Sequence, residues 1–129
     1  MKIRSISILL IAVFFLTTVS GVAAADKCIK TNTLEKQLTV KEDKSFNITL
    51  KSNPTTGYKW NLNFDPNYIQ LLDEKYIIDN PNLIGSGGQS IFKFKALKIG
   101  ETNITFKYQR PGENCLPAEE IIYDLNILK

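Results

Sequence analysis

The sequence predicts an all-β fold, and three observations predict it. Apolar residues recur with a period of two, not 3.6, in five separate stretches. Clusters of Asn, Asp, Pro and Gly punctuate those stretches at short intervals, as turns do. Beyond the amino-terminal leader, no segment carries a convincing helical pattern.

Residues 1–25 are set apart from the fold. Lys2 and Arg4 precede an apolar run from Ile6 to Val19, and the small residues Ala23-Ala24-Ala25 follow. This pattern is that of a secretory signal peptide cleaved after Ala25. The run is short for a membrane span, so an uncleaved anchor is the weaker alternative. Asp26 and Lys27 suit poorly the position before a lipid-modified Cys28. The expected mature domain is residues 26–129, roughly 100 residues, enough for one buried core. Its expected destination is secreted or periplasmic, or endolysosomal in a eukaryote, with no membrane association after cleavage.

The strands follow in order. Leu34, Leu38 and Val40 suggest a weak first strand over 33–40. Phe46, Ile48 and Leu50 alternate with polar residues over 45–51, and Tyr58, Trp60, Leu62 and Phe64 do so over 58–64. Tyr76 to Ile78 supplies a short strand over 76–79. Phe92, Phe94 and Ala96 mark 90–97, Ile104, Phe106 and Tyr108 mark 102–109, and Ile121, Tyr123, Leu125 and Ile127 mark 120–128. Each has one inward face. About seven such strands in roughly 100 residues, with an inward Trp60 on the third, fit an immunoglobulin-like antiparallel β-sandwich. A small closed barrel is the alternative.

Alternating strand directions sort the connections. The links 41–44 and 98–101 are short polar turns at one end. The links 53–57, 80–88 and 110–114 then share the opposite end, and most of the Gly and Pro gather there. In antibody variable domains the same end of a sandwich carries recognition. The first of the three is the most distinctive. Asn53-Pro54-Thr55-Thr56-Gly57-Tyr58-Lys59-Trp60 leads a stiff polar turn straight into an aromatic strand. The Asn53 side chain can bond its own backbone and Pro54 fixes φ. Thr55 and Thr56 are β-branched, and Gly57 permits a sharp exit. A loop held in one shape loses little entropy on docking.

Composition removes several kinds of chemistry. The chain contains no His, which excludes Ser-His and Cys-His nucleophile systems and the commonest zinc ligand. No catalytic residue, metal site or cofactor is expected, and the protein is not expected to be an enzyme. The formal net charge is +3. Losing Lys2 and Arg4 brings the charges almost into balance, which argues against a nucleic-acid partner. Gly85-Ser86-Gly87-Gly88 has no following Lys or helix, so a phosphate cradle is disfavoured. Asp73-Glu74 and Glu119-Glu120 sit beside solvent-facing linkers on this reading and are solubilising rather than catalytic. Asn47 and Asn103 open glycosylation sequons on outward strand positions. The two cysteines, Cys28 and Cys115, imply one disulfide in an exported protein. The long closed loop would contribute about 4–5 kcal/mol in the chain-entropy model. Two free buried thiols are the other possibility. A monomer is the default.

These residues resemble the chagasin-type inhibitors of papain-like cysteine peptidases across the whole mature domain. Asn53-Pro54-Thr55-Thr56-Gly57-Tyr58 is similar to the family's first binding loop, Gly85-Ser86-Gly87-Gly88 followed by Phe92 to its second, and Tyr108-Gln109-Arg110-Pro111 to the start of its third. The resemblance implies a reversible, steric inhibitor whose partner is a papain-like cysteine peptidase. Thr55 and Thr56 would lie beside the target's catalytic Cys and His. The second and third loops would clamp the flanks, with Gly87 and Gly88 allowing close backbone approach, Arg110 offering planar hydrogen bonds, and Tyr108 acting as core-facing support. Such a footprint typically buries about 1,600 Å² in total. One departure is plain: Gly112 stands where the family usually has Trp, and Glu113-Asn114-Cys115 extends the loop. An extracellular immunoglobulin-like binding or adhesion module is the alternative reading, because the fold alone does not decide function.

Overall fold

A computed structural model describes residues 31–112, 114 and 116–129. The leader, Cys28 and Cys115 lie outside the described residues. Seven strands form: β1 (Asn32–Lys41), β2 (Ser45–Ser52), β3 (Lys59–Phe64), β4 (Ile69–Ile78), β5 (Gly88–Ala96), β6 (Gly100–Gln109) and β7 (Glu119–Leu128). They make two sheets, a four-stranded one in the order β1-β7-β6-β3 and a three-stranded one in the order β2-β5-β4. The expected immunoglobulin-like sandwich is what the chain adopts, not a closed barrel. Its pairs are antiparallel with one exception, since β1 runs parallel to β7. Seven strands of alternating direction leave the first and last pointing the same way, so that pair can only be parallel.

The period-two pattern becomes burial. In β5, Phe92, Phe94 and Ala96 are wholly buried while Lys93 is exposed. In β7, Leu125 and Ile127 turn inward and Asp124 and Asn126 outward. Aromatic rings interlock the two sheets. Phe106 of β6 meets Phe92 and Phe94 of β5 at 5.2 and 6.2 Å between ring centroids, and Phe64 of β3 meets Phe94 edge-on at 5.7 Å. Edge-on contacts of this kind add to the stabilisation from burial itself. Both sequon residues, Asn47 and Asn103, face outward as expected.

The fourth strand departs from expectation. It runs over ten residues, Ile69–Ile78, not the short segment 76–79. The register slips between Leu71 and Asp73, so Leu72 bulges out and the alternation breaks in mid-strand. A charged centre, Asp73-Glu74-Lys75, further hides the pattern. Asp73 and Glu74 therefore belong to an edge strand, not to a linker; charges there discourage edge-to-edge pairing. Glu119 and Glu120 likewise open β7.

The two ends of the sandwich differ. At one, the turn after β1 is stitched to both sheets: Glu42 N donates to Leu128 O at 2.7 Å and Asp43 N to Ala96 O at 2.9 Å. The opposite end holds the longer connections. Truncating the shared aromatic centre tests the packing. Phe106→Ala should lower unfolding free energy by about 3–5 kcal/mol in urea titration, with an unchanged strand signature by circular dichroism.

Candidate functional site

The three connections singled out in the sequence meet at that opposite end. The first is self-capped. Pro54–Thr56 form one turn of 3-10 helix, and the Asn53 side chain accepts from Thr55 N at 3.3 Å and from the Thr55 hydroxyl. Asn53 O accepts from Thr56 N at 3.1 Å and from Thr56 Oγ1 at 2.6 Å. Gly57 closes the turn in the left-handed region, φ 83°, and donates to Pro54 O at 3.0 Å. A side chain at that φ would be strained, which is why glycine stands there. The expected Asn53 self-bond and Gly57 exit both occur; the helical turn itself was not legible. Pro54, Thr55 and Thr56 are exposed.

The second connection is braced from inside. Ser86 is buried, and its hydroxyl accepts from Asn80 N at 3.1 Å and donates to Gly87 O at 3.2 Å. Asp79 N donates to Gly87 O at 2.9 Å. Gly88 is buried within β5, where any Cβ would collide with Ile77 O and lie 2.7 Å from the Tyr76 hydroxyl. Its lack of a side chain serves β4 packing. Gly85 and Gly87 border the first loop: Asn53 Nδ2 donates to Gly85 O at 3.3 Å, and a Cβ on Gly87 would touch Ser52 O at 3.6 Å.

The third connection reaches back to the first. Arg110 Nε donates to Thr56 O at 3.1 Å, and the guanidinium lies 4.6 Å above the Tyr58 ring. Tyr58 stacks on Tyr108 at 5.2 Å, and Tyr108 packs on Trp60 at 4.7 Å. The Tyr108 hydroxyl accepts the Asn53 N–H at 2.9 Å, and Trp60 Nε1 donates to Lys51 O at 3.0 Å. Pro111 and Gly112 form an exposed turn, with Gly112 left-handed at φ 80°. Trp at 112 would have to adopt that unfavourable backbone, so the glycine and the turn go together. The column Arg110-Tyr58-Tyr108-Trp60 was not anticipated; the period-two pattern gives Tyr108 a face but no partner for its hydroxyl. Also unanticipated are Leu83 and Ile84, exposed at the tip of the second connection.

A sandwich that ends in three loops, the first bonded to each of the other two, is a presentation scaffold: the exposed end is held in one shape. The sequence profile described as "Chagasin family peptidase inhibitor I42" matches residues 39–127, and the chain belongs to that family. Amoebiasin-2 of Entamoeba histolytica is 33% identical over 112 residues, covering 78% of this chain and 91% of its own length. The crystal structure of the cysteine protease inhibitor EhICP2 from Entamoeba histolytica superposes with a TM-score of 0.66 at 26% identity, covering 75% of this chain and 95% of that one. PbICP-C, solved in complex with falcipain-2, shares the fold at 19% identity, with a TM-score of 0.62 over 76% of this chain and 91% of that one.

Removing the one hydroxyl that joins strand β6 to the first loop tests the bracing. Tyr108→Phe should cost about 1–2 kcal/mol by leaving the Asn53 N–H unpaired. Amide exchange at Asn53 should accelerate far more than exchange in β5, and equal acceleration throughout would refute a local brace.

Proposed function

We propose that the chain is a reversible, steric inhibitor of papain-family cysteine peptidases. The first loop, Asn53 to Tyr58, enters the active-site cleft, with Thr55 and Thr56 leading. Gly85 to Gly88 and Arg110-Pro111 clamp its flanks, through the exposed backbone at Gly85, which buried Ser86 and Gly88 hold in place, and through the Pro111 turn in the third loop. Family membership supports the inhibitory role. The observation that carries the loop assignment is the pair of hydrogen bonds, Asn53 Nδ2 to Gly85 O and Arg110 Nε to Thr56 O, that join segments 32 and 54 positions apart in sequence.

The physical logic is plugging without chemistry. The narrow tip is capped by its own side chains, so docking costs little conformational entropy. Its backbone follows a helical turn, not an extended strand, and a helical turn does not present a carbonyl aligned for attack. Arg110 acts on this reading mainly as a strut, because its Nε already holds the Thr56 carbonyl.

Export and the disulfide belong to the same proposal. Lys2, Arg4, the apolar run and Ala23-Ala24-Ala25 support a cleaved leader. Thr31 Oγ1 donates to Pro117 O at 2.9 Å, and Asn32 pairs with Glu119. These contacts bring together the chain just after Cys28 and just after Cys115, which favours a bond between them.

Three measurements test this. Titrating papain with residues 26–129 should give stoichiometric loss of activity that recovers on dilution. Thr56→Trp should weaken it by about a hundredfold while the thermal transition stays in place; retained inhibition would mean another loop enters the cleft. Thiol titration of the exported protein in denaturant should find no reactive Cys until a reductant is added.

A further inference from the structure

Three Asn-x-Thr triplets occur in the chain: Asn47-Ile48-Thr49, Asn53-Pro54-Thr55 and Asn103-Ile104-Thr105. The triplet marks an asparagine for N-linked glycosylation unless its middle residue is proline. Only the second lies at the loop end, and its middle residue is Pro54. The two competent triplets lie in strands, and strand alternation sets their geometry. Ile48 and Ile104 point into the core, while Asn47, Thr49 and Asn103 are exposed and Thr105 is half-buried. Each asparagine shares its outward face with the threonine two residues on.

Asn is depleted in strands, and the fold makes no use of it at either place. Asn53, Asn67 and Asn80 shape turns through side-chain bonds to neighbouring groups. Asn47 and Asn103 have no such bond among the described residues. Both have room. β3 pairs with β6 only as far as Phe64 opposite Ile104, so Asn103 has no ladder neighbour on that side. On its other side an open polar depression is lined by Gln37, Asp124 and Asn126, whose amides and carboxylate suit sugar hydroxyls. Asn47 stands on β2, an edge of its sheet. The opposite edge, β4, is protected by its bulge and its charged centre. β2 pairs with β5 without a bulge from Ser45 to Ser52. A bulky, solvated glycan on Asn47 would guard that edge.

We propose that Asn47 and Asn103 each carry an N-linked oligosaccharide, one on each outer face of the sandwich, with the three-loop end left bare. The proposal rests on the export reading above, in a cell whose secretory lumen supplies a lipid-diphosphate-linked oligosaccharide. In the transfer, the asparagine Nδ2 bonds to the sugar C1 and the bond from C1 to the diphosphate oxygen breaks. The lipid diphosphate leaves, and one amide proton is lost to a base. The outward strand positions let the chain fold with the sugar in place. Asn47 lies about 17 Å short of the loop end along β2, and Asn103 about 20 Å short of it along β6. Both sugars therefore start well back from the first loop.

The test uses the full chain as recovered from its source cells. Digestion with a peptide N-glycosidase should lower its mass in two steps and convert Asn47 and Asn103, but not Asn53, to aspartate. Thr49→Ala and Thr105→Ala, expressed in the same cells, should each remove one step, while Thr49→Ser and Thr105→Ser keep both. A chain that has lost its leader and carries no glycan overturns the proposal and leaves export standing. A chain that keeps residues 1–25 and carries no glycan overturns both. Sugar at one of the two sites alone, or at Asn53, refutes the placement on two faces with a bare end. Glycosylated and digested protein should inhibit papain equally, and a loss confined to the glycosylated form also refutes the bare end. Protein that leaves papain untouched in both forms removes the inhibitor reading, and the mass result still decides the glycans.

Discussion

One hydrogen bond joins the interior of this protein to its exposed end: the Tyr108 hydroxyl accepting the Asn53 N–H at 2.9 Å. Its strength comes from where the tyrosine is held. Tyr108 pairs with Trp60 across β6 and β3, and the two rings pack at 4.7 Å. Trp60 is in turn buried against Phe106, one of the aromatics that touch both sheets. A hydroxyl fixed by so much ring packing does not drift, so the start of the first loop is set by the core. Tyr58 and Arg110 extend the column outward and return to Thr56 at the far side of the same loop.

The loops divide their tasks because their chemistry differs. The first satisfies its own polar groups with Asn53, Thr55 and Thr56, and so it can be small and narrow. The second keeps a polar brace inside, through Ser86, and leaves its aliphatic tip outside. The third contributes a planar cation that ties down a carbonyl. Among the described residues, no buried side-chain nitrogen or oxygen lacks a partner. Unpaired buried groups would cost more than most single bonds gain, so this complete pairing is what permits stiff loops at a sheet end.

Five of the strands were legible because half-burial imposes alternation, and the alternation of Phe92-Phe94-Ala96 or Ile121-Tyr123-Leu125-Ile127 survives in the sequence. The grouping of three loops at one end followed from strand count and direction alone. Most of β4 was not legible. A bulge at Leu72 resets its phase, and an edge strand with a charged centre has little inward surface to advertise. Asn53-Pro54 and Gly57 announced a turn through local backbone preference, whereas the helical geometry between them depends on bonds only the closed loop makes.

The sequence by itself determined the sheet periodicity, the absence of histidine chemistry and the local stiffness of Asn53-Pro54-Thr55-Thr56-Gly57. Each of these is written in residues near one another or in composition. Only the tertiary structure decided that Arg110 bonds the Thr56 carbonyl, that Ser86 points inward, that Gly88 serves β4, and that Leu83 and Ile84 stand exposed. Those outcomes depend on which groups meet across tens of residues, and no local preference encodes a contact between the two sheets.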